Sequence, residues 1–339
     1  MKHLVWVGHF RGYSGFATAT RSYVRAFMRH YPDVMIAPLA ALTPSDSFAP
    51  LVNEVPNHAF ELVHHHPTTD PEADAYFSVV EYDRVLPEWE PLLENAKVVF
   101  TQSEYCRRIF EKVVKDPGKI HVVPYILPPG IPPHGRPPRI FPKDKFVVGS
   151  VFEWIPRKVP QLLIQAFIEE FRVSEPAMLV LRTYNVPVGE FERILQSLEG
   201  NKNIQVLQDP IPELGVFYRS LDCYISCTAG EGYGQTLAEA MACGIPTIGS
   251  RHSGNLDYMT DENSYLVDVG DWSPSVENPR QRWKLPKINS MREALRAVFE
   301  IWVKKGVNPR AQRAKSLRKR LVPWRASRVL WQALKPFLF

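Results

Sequence analysis

The chain has 339 residues, of which 45% are hydrophobic, 23% charged and 12% aromatic, with a formal net charge of +5. This composition excludes a disordered or fibrous chain and leaves room for two domains, each with its own core. No apolar run approaches the roughly 18 to 20 residues of a membrane span, and MKHLVWVGHF breaks off too soon for a signal-peptide core, so the expected location is cytoplasmic.

The first half alternates strand and helix patterns. It opens with the strand HLVWVG, a loop HFRGYSG and a helix from about Phe16 to His30, in which Thr20, Val24, Phe27, Met28 and Tyr31 share one face. Strands VMIAPL, AFELVHH, AYFSVV, KVVFTQ and IHVVPY follow, with the helix SEYCRRIFEKVVK between the last two. Such alternation predicts a mostly parallel sheet covered by helices. His64, His65 and His66 stand together at a strand end, where adjacent residues point to opposite faces; the three do not converge on one metal ion without a turn.

From Pro128 to Pro142 the composition shifts to PPGIPPHGRPPRIFP, whose prolines favour extended backbone, and the linker between domains is expected here. The boundaries read as 1–135 for the first domain, 136–145 for the linker and 146–322 for the second. Residues 323–339 form a helix, started by Pro323, that returns to the first domain with Leu330, Leu334 and Phe337 on one side. Alternation restarts after the linker with FVVGSVF, QLLIQAFIEEF, AMLVLR, FERILQSL, IQVLQ, ELGVFYRSL and CYIS, and later PTIGS and SYLVD. The fold class is therefore α/β, two Rossmann-like domains facing each other across a cleft at the carboxyl ends of their sheets.

Asp271–Lys287 reads as a loop or insertion, and Ser290-x-x-Glu293 as a capping box opening the next helix. Cys106, Cys223, Cys227 and Cys243 show no C-x-x-C spacing, which predicts buried reduced thiols and no metal. RAQRAKSLRKRLVPWRASR, from Arg310 to Arg328, is rich in Lys and Arg and has no acid, so it could meet an anionic lipid or ligand. No nucleic-acid partner is expected.

The densest signal is EGYGQTLAEAMACG, residues 231–244. A glycine turn leads into a helix from about Gln235 to Cys243, ended by Gly244. The N–H groups of Gly234, Gln235 and Thr236 point out of that helix's first turn, which suits a phosphate. Glu239 lies four residues beyond Gln235 on the same face and suits ribose hydroxyls; Glu231, before the turn, suits the hydroxyls of a sugar. A nucleotide sugar has that layout, whereas solvated acids flanking a glycine turn would carry no function.

These residues resemble the retaining glycosyltransferases of family 4, the glycosyl transferases group 1, which have the GT-B fold. Glu231, Gly232, Tyr233, Gly234, Leu237, Glu239, Ala240, Met241, Ala242, Gly244 and Pro246 match the family pattern position by position. SGNLDYMTDENSYLVD is similar to its following turn and closing strand, with Asp257 where a Glu is commoner. FEWIPRKVPQLLIQAF resembles the family's segment in which Arg157 and Lys158 would neutralise the donor diphosphate, with Ser150 standing where an arginine is common.

The resemblance implies transfer of a sugar from a UDP- or GDP-linked donor to a hydroxyl acceptor, a glycan or lipid-linked saccharide, with retention and with no cofactor beyond the donor. It assigns Glu231, Arg157 and Lys158 to catalysis. Arg157, Lys158, Gly234, Gln235 and Thr236 would bind the diphosphate, aided by Gly12, Ser14 and Gly15 of the first loop. Glu239 would take the ribose, Glu231, Gly232 and Tyr233 the sugar, and the backbone near Gln208 and Ile211 the base; apart from the resemblance, His65 of the histidine run is expected to contact the sugar if it faces the cleft. A non-catalytic nucleotide-sugar-binding homologue and a dinucleotide-dependent oxidoreductase stay as alternatives; GHFRGYSG lacks the glycine spacing of the latter. Peripheral membrane contact through the basic C-terminal stretch is a further expectation.

Overall fold

A computed structural model describes residues 3–339 except 13, 44–45, 53–55, 57, 136–137, 191–192, 194–195, 197–201 and 209–212. The chain divides into two units, residues 1–128 with 318–339, and residues 129–317.

The first unit holds six parallel strands: β1 (Leu4–Gly8), β2 (Met35–Pro38), β3 (Phe60–His64), β4 (Ala75–Phe77), β5 (Val98–Thr101) and β6 (Ile120–Val122). Their order is β2-β1-β3-β4-β5-β6. A parallel sheet is covered on both faces, and the side chains alternate accordingly. Leu4, Trp6, Phe60, Leu62, Phe77 and Phe100 belong to one core, Val5, Val7, Val63, Tyr76 and Val99 to the other. Helices α1 (Gly15–Phe27), α2 (Glu90–Asn95) and α3 (Glu104–Phe110) cover it. The order reverses at β1 and β3, and the loops beyond their carboxyl ends meet at that switch point.

The second unit repeats the plan with β7 (Phe146–Glu153), β8 (Ala177–Tyr184), β9 (Ile204–Leu207), β10 (Cys223–Ser226), β11 (Thr247–Ser250) and β12 (Tyr265–Val267). All are parallel, in the order β12-β11-β10-β7-β8-β9, so the switch point lies between β7 and β10. Phe146, Val148 and Phe152 of β7 pack with Leu163 and Phe167 of α4 (Pro160–Glu170) in one core. α5 (Leu214–Arg219) and α6 (Gln235–Cys243) flank β10 in sequence. The helix expected over FERILQSL lies largely outside the described residues.

Three expectations differ. Residues 271–287 are not an irregular loop: β13 (Val269–Pro274) and β14 (Arg282–Pro286) pair antiparallel as a hairpin. Ser290 does not cap a helix. α7 (Ile288–Val303) begins two residues before it, and the Ser290 hydroxyl accepts the Asp268 N–H at 3.0 Å, a tertiary contact in place of the capping box. The boundary between the units also lies earlier in the proline-rich stretch than the expected linker at 136–145. The second unit begins at residue 129, and Arg139 is paired with Asp222 at 2.9 and 2.6 Å, pinning the segment to the sheet.

After α8 (Pro309–Ala314), α9 (Pro323–Leu338) packs into the first unit. Ala326, Leu330, Ala333, Leu334 and Leu338 share the core of Trp6, Phe27 and Phe60, and Phe337 stacks on Phe60 at 5.3 Å. All four cysteines are buried and unpaired by disulfides. Among the described residues, no helix is long and apolar enough to cross a membrane.

Candidate functional site

In the second unit the two loops that leave the switch point carry the predicted residues. β7 runs into a tight turn, Pro156–Lys158, ahead of α4, and β10 runs into the glycine loop ahead of α6. Gly234 caps α6 with φ +83°, a left-handed conformation that disfavours any side chain, and α6 spans Gln235–Cys243 with Gly244 past its end. Gly232, Tyr233 and Gly234 link Glu231 to the first turn of α6.

Glu231 is 8% exposed. Lys158 Nζ donates to its Oε1 at 2.5 Å, and Arg157 Nη1 lies 3.7 Å from its Oε2 while donating to the Gly230 carbonyl at 2.8 Å. Burial pushes the Glu231 carboxyl up, but the charges of Lys158 and Arg157, with hydrogen bonds from Lys158 and Thr228, outweigh this and hold it below its ordinary value. The carboxylate is therefore ionised and gripped by two cations.

Its backbone is equally fixed. The Glu231 N–H donates to Ser253 Oγ at 2.8 Å, and its carbonyl accepts the Gly254 N–H at 2.9 Å. A Cβ on Gly254 would lie 2.1 Å from the Gly232 carbonyl oxygen, so only glycine allows the two loops to approach this closely. Tyr258 donates its hydroxyl toward the carbonyls of Tyr233 and Gly234, at 3.0 and 2.6 Å, and its ring packs on Tyr233. The turn of SGNLDYM is thus a brace for the glycine loop.

Glu239 lies inside α6, 3% exposed, and its Oε2 accepts the Tyr218 hydroxyl at 2.7 Å. Thr236 is hydrogen-bonded to Tyr224, whose hydroxyl also meets the backbone of Val151 in β7. Ser150 is buried in β7. Gln208 is exposed one residue beyond β9, and Ile211 lies outside the described residues. The structure thus brings Arg157, Lys158 and Glu231 into direct contact and puts Glu239 inside α6, the helix that follows the Glu231 loop.

Sequence reasoning missed the hairpin's part. Ser275 Oγ accepts the N–H groups of Glu277 and Asn278, which tightens the hairpin tip, and Glu277 Oε1 accepts the Arg157 N–H at 3.0 Å. Lys284 N–H donates to the Ala229 carbonyl at 3.2 Å. The hairpin therefore holds both loops of the switch point.

Gly12, Ser14, Gly15 and His65 belong to the first unit. Ser14 caps α1, accepting the Ala17 N–H at 3.2 Å, and Gly15 is the first helical residue. Arg21 donates to the Phe10 and Gly12 carbonyls and shapes this loop. His65 packs against Phe16 at 4.7 Å and His9 at 5.1 Å, and its Nδ1 pairs with Thr69. His64 turns into the core and pairs with Thr20, while the His65 and His66 rings stay in edge contact at 4.7 Å and all three histidines pack around Phe16.

The profile of the family described as glycosyl transferases group 1 matches residues 136–287, which include every residue of this second-unit site. Over these residues the chain is similar to the glycosyl transferases group 1. Over 166 residues the chain is 28% identical to the capsular polysaccharide biosynthesis glycosyltransferase CapM of Staphylococcus aureus, covering 45% of this chain and 40% of that protein. Over 234 residues it is 25% identical to a D-inositol 3-phosphate glycosyltransferase of Segniliparus rotundus, covering 63% and 49%. The chain thus spans less than half the length of these relatives. The two units have the GT-B fold. They superpose on Anabaena Alr3699/HepE, solved with UDP and glucose, with a TM-score of 0.66 at 14% identity over 99% of this chain and 100% of that one.

Proposed function

We propose that the second unit binds a UDP- or GDP-linked sugar and that the protein transfers this sugar, with retention, to a hydroxyl of a glycan or lipid-linked saccharide. The observation that carries the reading is the contact of Lys158 and Arg157 with the buried, ionised Glu231, on the glycine loop that leads into the amide-rich start of α6. An anionic diphosphate at that helix start is stabilised by the helix amides and by both cations, which grow more favourable as the leaving group gains charge.

Glu231 then accepts hydroxyls of the transferred sugar and Glu239 those of the ribose, with Gln208 beside the base. The acceptor hydroxyl attacks from the face the diphosphate vacates, and a donor phosphate oxygen receives its proton. With two cations to neutralise the diphosphate, the reading requires no bound metal. The HepE structure of the same fold, which holds UDP and glucose, supports it. The exposed Arg320, Trp324, Arg325 and Arg328 of the first unit fit an anionic membrane surface carrying a lipid-linked acceptor, which co-sedimentation with anionic liposomes tests.

The deciding experiment incubates the protein with a panel of UDP- and GDP-sugars and follows diphosphate release, with nucleotide binding measured in parallel. Lys158→Ala is expected chiefly to lower turnover and Glu239→Ala to weaken nucleotide binding. Unchanged kinetics and titrations in both variants would refute the assignment. A thermal shift with NAD and none with UDP or GDP would favour the oxidoreductase.

A further inference from the structure

The two cations that would hold the diphosphate are engaged by a carboxylate of the protein itself. Lys158 Nζ is 2.5 Å and Arg157 Nη1 3.7 Å from Glu231, and the three side chains are only 16%, 11% and 11% exposed. Charges this sheltered are weakly screened, so a third ionic group among them is felt strongly.

We propose that Glu231 makes the site discriminate between an intact nucleotide sugar and the nucleoside diphosphate left after transfer, by competing with the diphosphate for Lys158 and Arg157. This rests on the nucleotide-sugar reading of the site. An ammonium has three N–H donors and can bridge two anions, but Glu231 and a phosphate oxygen then face each other across one nitrogen. If Lys158 instead turns to the phosphate, the buried carboxylate loses its nearest partner, which is costly in a desolvated setting.

Glu231 has no easy retreat from that conflict. Its N–H is held by Ser253 and its carbonyl by Gly254, so the backbone cannot carry the carboxylate away. A bare diphosphate therefore binds against Glu231 in either arrangement. A diphosphate bearing a sugar brings hydroxyl donors, which can satisfy the Glu231 oxygens as Lys158 turns to phosphate. Transfer removes those hydroxyls, Glu231 recaptures Lys158, and the remaining diphosphate is weakened toward release.

The test is calorimetric titration of the full chain with UDP, GDP and their sugar conjugates, on the wild type, Glu231→Gln and Glu231→Asp. The wild type is expected to bind the sugar conjugate more tightly than its diphosphate. In Glu231→Gln, which removes the charge at constant shape, diphosphate affinity is expected to rise about tenfold while the preference for the conjugate collapses. Glu231→Asp keeps the charge and should keep diphosphate binding weak.

Equal or weaker diphosphate binding in Glu231→Gln overturns the proposal, as does an equal gain in Glu231→Asp or a wild type that favours the bare diphosphate. If the wild type binds and transfers but shows one of these outcomes, only this inference fails. If it binds no nucleotide in any form, the functional reading fails with it.

Discussion

The hydroxyl of Tyr218 in α5 donates to Glu239 of α6 at 2.7 Å, with both residues buried. Through this contact a residue with no place in the family motif sets the orientation of one that has. Removing one partner from a buried polar pair costs about 1–3 kcal/mol. Tyr218→Phe is therefore expected to lower unfolding free energy by that amount in urea titration and to weaken nucleotide binding several-fold. Unaltered nucleotide affinity alongside lost stability would separate Glu239 from the ligand.

Gly254→Ala is expected to be among the most damaging small substitutions in the second unit. The added carbon would meet the Gly232 carbonyl at 2.1 Å, a backbone atom that cannot rotate aside. Overpacking of this kind costs about 1–3 kcal/mol. Thermal melts should fall, and nucleotide-dependent stabilisation should vanish as the brace opens.

Glu277→Gln keeps an acceptor for the Arg157 N–H, whereas Glu277→Ala removes it. Because this bond is solvent-exposed, its loss should cost less than about 1 kcal/mol of stability. The expected signature is a several-fold fall in turnover for Ala, little change in melting temperature, and substantial recovery with Gln. Identical kinetics in Ala and wild type would show that the hairpin does not position the basic turn.

His64 should make the first unit acid-sensitive. Its ring is stacked on Phe77 at 4.3 Å, packed near Trp6, Phe16 and Tyr23, and paired with Thr20; the nearest titratable groups are His65 and His9. Burial, reinforced by those two histidines, lowers its pKa from 6.5 to about 3. The unfolded chain takes up the proton first, so stability is intact above pH 6.5 and is lost as pH falls from there toward about 3. One such group contributes a slope of about 1.4 kcal/mol per pH unit. Denaturation across pH 4 to 6 should show a slope smaller by roughly that amount in His64→Gln.

The central parallel strands were legible because they are buried on both faces and read as apolar runs, as FVVGSVF does for β7. The limits of α6 were legible because Gly234 and Gly244 punctuate it locally. The hairpin was not. Its strands are only partly buried, both end at prolines, and nothing in Trp272 or Arg282 announces the cross-strand partners Lys284 and Pro274. Ser290 and Glu293 satisfied a local pattern, but the contact of Ser290 with Asp268 prevailed. The bond between Glu277 and Arg157 joins positions 120 apart, which no local pattern encodes. The glutamates themselves stood out in the sequence; that Glu231 already holds the two cations appeared only in three dimensions.

The return of α9 has a bearing on how the chain is made. Residues 1–128 leave the ribosome with an uncovered greasy flank along Trp6, Phe27 and Phe60, and it stays so until residues 323–338 emerge. The intervening 129–317 stretch is contiguous and can mature first, so the unit that begins before it is finished after it. Released chains truncated after residue 320 should yield a protease-resistant core from residues 129–317 while the leading portion is digested; equal resistance of both would show that α9 is dispensable for closure.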